Sequence, residues 1–234
     1  MLELYHQFIY QPLLNLLVWG YNTIPGHDIG IVIILLTLVI RIVLAPLMHK
    51  QLQSQKAMSG LQPKLNALRE QHKGDKEAQA KATMELYREH KVNPLSSCLP
   101  LLIQLPILIA LYQVFSKALR GNLEGLYGFV SNPGSINPLF LHFIDLSKAN
   151  IYLAVIAGAL QFWQSKHMMS QTGPSNDPTA KVMSIQTQYV LPLLSIFIAM
   201  TLPAGLPLYW AVMTLFAIAQ QYYIMRGPSA QPMA

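Results

Sequence analysis

The run Ile29–Met48 (IGIVIILLTLVIRIVLAPLM) is long and apolar enough to cross a bilayer, yet it carries a charge, Arg41. About 20 residues rising about 1.5 Å each match a hydrocarbon core about 30 Å thick. A guanidinium held there costs at least about 2.5–3.5 kcal/mol on insertion scales, so something must compensate it. Two readings are open. Arg41 lies seven residues from Met48, about 10 Å along a helix, and its long side chain can snorkel part of that way to the interface. Otherwise it faces a wet cavity inside a helix bundle.

The remaining sequence favours a polytopic membrane protein. Only 11% of its 234 residues are charged and 53% are hydrophobic, whereas soluble chains carry about 25% charged residues. Between Lys181 and Arg226 there are 44 residues without Asp, Glu, Lys or Arg, and PAGLP (203–207) near the middle supplies a turn. Five spans follow: 29–48, 95–115, 149–165, 185–202 and 208–225. The N-terminal stretch 1–20 has no basic start or clear cleavage site, so it is not read as a signal peptide. Glu3, Gln7, Gln11 and Asn15 recur every four residues there, which suits an amphipathic helix lying in the interface.

Orientation follows from basic residues near span ends. Segment 50–92, loop 166–184 and tail 226–234 together hold twelve Lys and Arg, against three (Lys117, Arg120, Lys148) on the other side. The first group is expected in the cytoplasm, the N-terminus and the 118–147 loop outside, and the net charge of +6 reflects loop placement rather than nucleic-acid binding. Segment 50–92 reads as a helical hairpin. Leu61, Leu65 and Leu68 form one stripe, Gly74 a stop, Asp75 an N-cap, and Ala80, Met84 and Tyr87 a weaker stripe. In 118–147, Tyr127, Phe129, Phe140 and Phe143 suggest a segment folded back on the membrane surface.

Polar residues recur in the spans: Thr37 one turn before Arg41, Gln104 central in the second, Gln161 and Gln164 in the third, Gln186 and Gln188 in the fourth, Gln220 and Gln221 in the fifth. Lipid cannot satisfy an amide, so these side chains must meet one another or trapped water. Their coincidence with Arg41 favours a wet groove, and no span holds a carboxylate to pair with it. Catalysis is not expected. No span holds a histidine, the single Cys98 reads as a small core residue, and no Cys/His metal cluster, phosphate loop or embedded carboxylate is present. The last absence, with no internal repeat, also speaks against ion-coupled transport.

TLVIRIVLAPL (37–47), the basic hairpin, NPLSSCLPLLIQLPILIALY (93–112), LQFWQ (160–164) and LPLYWAVMTLFAIAQQYYIMR (206–226) together resemble the YidC family of membrane insertases, related to those of mitochondria and chloroplasts. The resemblance runs from about Leu13 to Arg226. It implies an all-α fold, with five transmembrane helices around a hydrophilic groove open to cytoplasm and lipid and closed outside. It places Arg41, Thr37, Gln161, Tyr209 and Trp210 in that groove, where Gln104 joins them, and sets Leu105 and Leu108 against the passing substrate. It further implies an insertase and chaperone of the bacterial inner membrane, without cofactor. Nascent membrane proteins and the bilayer are its expected partners, and the ribosome and the Sec translocon are possible ones. Relative to that family, the chain is expected to lack the large outer domain, the extra first span and a lipoprotein leader. Its tail GPSAQPMA has no basic residue for a ribosome contact. An anion transporter using Arg41, or a non-catalytic assembly scaffold with a dry interior, are the competing readings.

Overall fold

The computed structural model describes residues 2–93, 99–170 and 178–226. Cys98, residues 95–98 of the second expected span, 171–177 of the loop after the third, and the tail from 227 lie outside the described residues. The protein is mostly helical. Helix α1 (residues 2–23) is followed by α2 (Ile29–Gly60), a hairpin of α3 (Gln62–Gln71) and α4 (Lys76–Glu89), and α5 (Leu99–Ala118). A two-stranded antiparallel ribbon, β1 (Leu139–Phe140) and β2 (Ile144–Asp145), pairs Leu139 with Asp145 and Phe140 with Ile144. Helices α6 (Ile151–Ser170), α7 (residues 178–199) and α8 (Gly205–Arg226) complete the chain.

By length and composition, two segments among the described residues can cross a membrane: Ile29–Gly60, whose most apolar stretch of 18 residues has mean hydropathy 2.8, and Lys181–Ala199, whose own has 1.5. Their outer faces carry bare apolar side chains, among them Val39, Ile42, Val43, Leu193 and Phe197. Contiguous exposed apolar surface of this kind is unfavourable in water and suited to hydrocarbon.

Two helices widen into single π-helical turns, His6–Tyr10 in α1 and Gln186–Val190 in α7. Each ends two residues before a proline, Pro12 and Pro192. A proline ring collides with the carbonyl one turn back, and a wider turn makes room for it. Helix α2 continues through Pro46 to Gly60, so residues 50–60, which the sequence assigns to the hairpin, prolong the first apolar helix. In the hairpin, Gly74 turns at φ 98°, and Asp75 caps α4 by accepting from the amides of Glu77 and Ala78. The inward face of α4 is not the expected Ala80–Met84–Tyr87 stripe, because Met84 is exposed and Leu86 is buried. Gln79 sets this rotation, since its amide donates to the carbonyls of Arg69 and His72 at the end of α3.

One end of the bundle is closed by the 118–147 segment. Asp28 caps α2 through the amides of Gly30 and Ile31 and also accepts from the Leu141 amide at 2.7 Å. That bond holds the ribbon turn where Leu141 and His142 adopt positive φ, 50° and 70°. The Phe140 ring lies where a side chain on Gly30 would be. Carbonyls of Leu146 and Lys148 receive the amides of Gly205 and Ala204, at the start of α8.

Candidate functional site

At the other end, α2, α5, α6 and α8 surround a cavity of about 330 Å³. Helical spacing places its lining. Arg41, Met48, Leu52 and Gln55 fall on one face of α2; Met213, Ala217, Gln220 and Gln221 on one face of α8; Gln164 and Met168 one turn apart on α6; and Gln104 comes from α5. From Arg41 to Gln55 is 14 residues, about 21 Å of helix, so the site is elongated. Arg41 is its charged group; no carboxylate lines it among the described residues.

Arg41 is only 9% exposed, and its buried Nε has no hydrogen-bond partner among the described residues. Its side chain lines the cavity. Gln104 donates from Nε2 to the Tyr209 hydroxyl at 2.6 Å, fixing the α5 amide against buried Tyr209 of α8. Gln55 points its amide at the Met168 sulfur at 2.9 Å, and Gln220 donates to the Ala45 carbonyl at 3.4 Å. Gln221 is 1% exposed, with neither Nε2 nor Oε1 partnered among the described residues.

The residues singled out in the sequence thus divide. Arg41 and Gln104 line the cavity, and Tyr209 backs it through Gln104. Thr37 is buried one turn from Arg41, and its hydroxyl is spent on the Ile33 carbonyl at 2.6 Å. Gln161 is half-buried one turn before Gln164 and does not line the cavity. Trp210 and Leu108 pack partly buried against the core, whereas Leu105 faces outward, 43% exposed. Gln51, Gln55 and the three methionines were not among the expected site residues. The signal for them is the α2 periodicity carried past Met48, together with the spacing 213, 217, 220, 221 on α8.

No group of three or more His, Cys, Asp or Glu capable of holding a metal occurs among the described residues. What the site offers is one buried cation, six carboxamides (Gln51, Gln55, Gln104, Gln164, Gln220, Gln221) and soft apolar side chains. It can attract a negative group and exchange hydrogen bonds, and among the described residues its lining holds no nucleophile paired with a base. Apolar outer faces around such a cavity suit a helical membrane protein, with one cation and six carboxamides set among apolar side chains in its cavity.

Comparison with known proteins gives the class its family. The family described as 60Kd inner membrane protein matches residues 19–231. A Fusobacterium nucleatum protein curated as "Membrane protein insertase YidC" is 38% identical over 94% of this chain and 98% of its own length. A Geobacter sulfurreducens protein of the same name is also 38% identical, over 94% of this chain but 37% of its own. "Membrane protein insertase YidC 1" of Halalkalibacterium halodurans is 38% identical over 95% of this chain and 78% of its own. A crystal structure of an active YidC insertase with its first transmembrane domain resolved superposes with a TM-score of 0.64 and 29% identity, over 94% of this chain and 46% of that one. The chain belongs to the 60Kd inner membrane protein family.

Proposed function

We propose that this chain is a membrane protein insertase and chaperone, and that the cavity around Arg41 is the path its clients take. Membership in a family of insertases, which is not one of known catalytic enzymes, supports the activity. The buried Arg41 guanidinium, whose Nε has no hydrogen-bond partner among the described residues, in a cavity lined by six carboxamides is the observation that carries the mechanism.

The five apolar segments span the bacterial inner membrane, with α1 and the 118–147 segment outside and the α3–α4 hairpin and C-terminus in the cytoplasm. The cavity is then a groove open to the cytoplasm and lipid, closed outside by the loop pinned to Asp28. Clients are small membrane proteins with a short outer tail, received by the hairpin; the ribosome and the Sec translocon are further partners. A wet groove reaching partway in shortens the low-dielectric path each polar residue must cross. A carboxylate drawn to about 4 Å from Arg41 gains about 4 kcal/mol at an effective dielectric near 20. That offsets the insertion penalty of about 2.5–3.5 kcal/mol for one acid. The apolar span then leaves sideways into lipid, favoured by about 0.8 kcal/mol per CH₂.

The test is insertion by purified protein in liposomes, scored as protease protection of a single-span client with an acidic tail. Wild type and Arg41→Lys are expected to protect the client, and Arg41→Ala to slow it at least about tenfold, about 1.4 kcal/mol. Protection no higher than in empty liposomes, with folded protein, contradicts the insertase reading. Equal protection by all three removes Arg41 from the mechanism. Loss with both variants points to a bidentate anion site that needs the arginine fork.

A further inference from the structure

We infer that the carboxamide wall of the cavity, with Gln221 at its most buried position, binds the main chain of the client. The inference rests on the insertase reading and adds what the groove recognises. A glutamine side chain carries two N–H donors and a carbonyl acceptor, so it can pair with both the carbonyl and the single N–H of a peptide group. Six of them line this one cavity. Some are already engaged: Gln104 with Tyr209, Gln220 with the Ala45 carbonyl, and Gln55 with the weakly accepting Met168 sulfur. Gln221 is not, although it is 1% exposed and both its donor and its acceptor are without partners among the described residues. Buried amides are normally satisfied, and one left open on both atoms marks a place for a ligand that supplies both.

A polypeptide segment not yet helical supplies them. Inside hydrocarbon its N–H and C=O groups have no partner until it folds, and a wall of carboxamides offers both without regard to sequence. An inorganic anion would use the donors and Arg41 but leave every Gln acceptor facing negative charge. Met48, Met168 and Met213 line the same cavity, and their flexible, polarizable side chains accommodate client side chains of differing shape. Charge capture by Arg41 and main-chain capture by the glutamines are therefore separate contributions to one site.

A synthetic single-span client separates them. Three consecutive amides of its outer tail are replaced by esters, which deletes N–H donors and leaves side chains and charge unchanged. Insertion rates into liposomes containing the full chain are measured for both clients, and the empty-liposome rates are subtracted. Esters make the client more apolar, so unaided insertion can only rise. Wild type is expected to insert the ester client at least about threefold more slowly than the amide client. Gln221→Leu is expected to slow the amide client about as much and to show no further ester effect, the non-additivity of groups that touch. Equal wild-type rates for the two clients overturn the proposal, as does an undiminished ester effect in folded Gln221→Leu. The wild-type comparison decides even if the variant does not fold. Failure of the insertase reading looks different: wild type then inserts neither client above empty liposomes.

Discussion

Arg41 and Asn15 are both polar groups in apolar helices, and the fold treats them oppositely. Asn15 is 3% exposed and saturated. Its amide donates to the carbonyls of Gln11 and Gly125, and its oxygen accepts from the Tyr127 amide at 2.6 Å. Asn15→Leu would leave that amide without its acceptor, and it is expected to lower stability by about 1–3 kcal/mol, read as a reduced Tm in micelles. Arg41 has no such network among the described residues, and its Nε is without a partner there. Arg41→Met is expected to raise stability by about 0.5–2 kcal/mol, the usual consequence of relieving a functional site of its buried polar group, while slowing insertion of acidic-tailed clients. A destabilised Arg41→Met protein would show that the guanidinium is satisfied within the fold. Both residues are conspicuous in the sequence, but the partners of Asn15 cannot be read there. The four-residue repeat of Glu3, Gln7, Gln11 and Asn15 reads as a face turned to water, whereas Gln11 and Asn15 turn to Gly125, 114 and 110 residues on in the chain, a partner that no local pattern can name.

At the scale of elements, glycine sets how closely helices approach. A side chain on Gly158 of α6 would run into Ile196 of α7 and come within 3.2 Å of the Pro192 carbonyl, while Gly60 at the end of α2 has open space around it. Gly158→Ala is expected to cost about 1–3 kcal/mol through overpacking, and Gly60→Ala to be neutral or stabilising; thermal unfolding of the two variants distinguishes them. The closed end has its own pH dependence. The Ser147 hydroxyl and then the Lys148 ammonium, 2.9 Å away, hold the Asp145 carboxyl below its ordinary value. The contribution of this turn is therefore present above the usual carboxylate range and lost as pH falls through the lowered pKa. A lower protection factor for hydrogen exchange at the Ser147 amide on acidification, absent in Asp145→Asn, is the expected readout. The extent of α2 is the main element the sequence obscured. Residues 50–60 turn polar just where the apolar run ends, but they hold no helix breaker before Gly60, so the helix continues and carries Gln51 and Gln55 into the cavity.

The whole molecule is asymmetric along its helices. One end is tied shut through Asp28, Asn15 and the carbonyls before α6, and the other opens around the α2, α6 and α8 ends that bear the glutamines and methionines. On the insertase reading, a cavity open at one end and tied shut at the other suits insertion from one side without a leak through the other. The most direct measurement places a cysteine at Ala217, which lines the cavity, with Cys98 replaced by serine, and follows its reaction with a membrane-impermeant thiol reagent in oriented vesicles. The account predicts modification from the cytoplasmic face, none from the outer face, and protection when a client is arrested during insertion. A cysteine that is unreactive from both faces, reactive from the outside, or indifferent to an arrested client would contradict it.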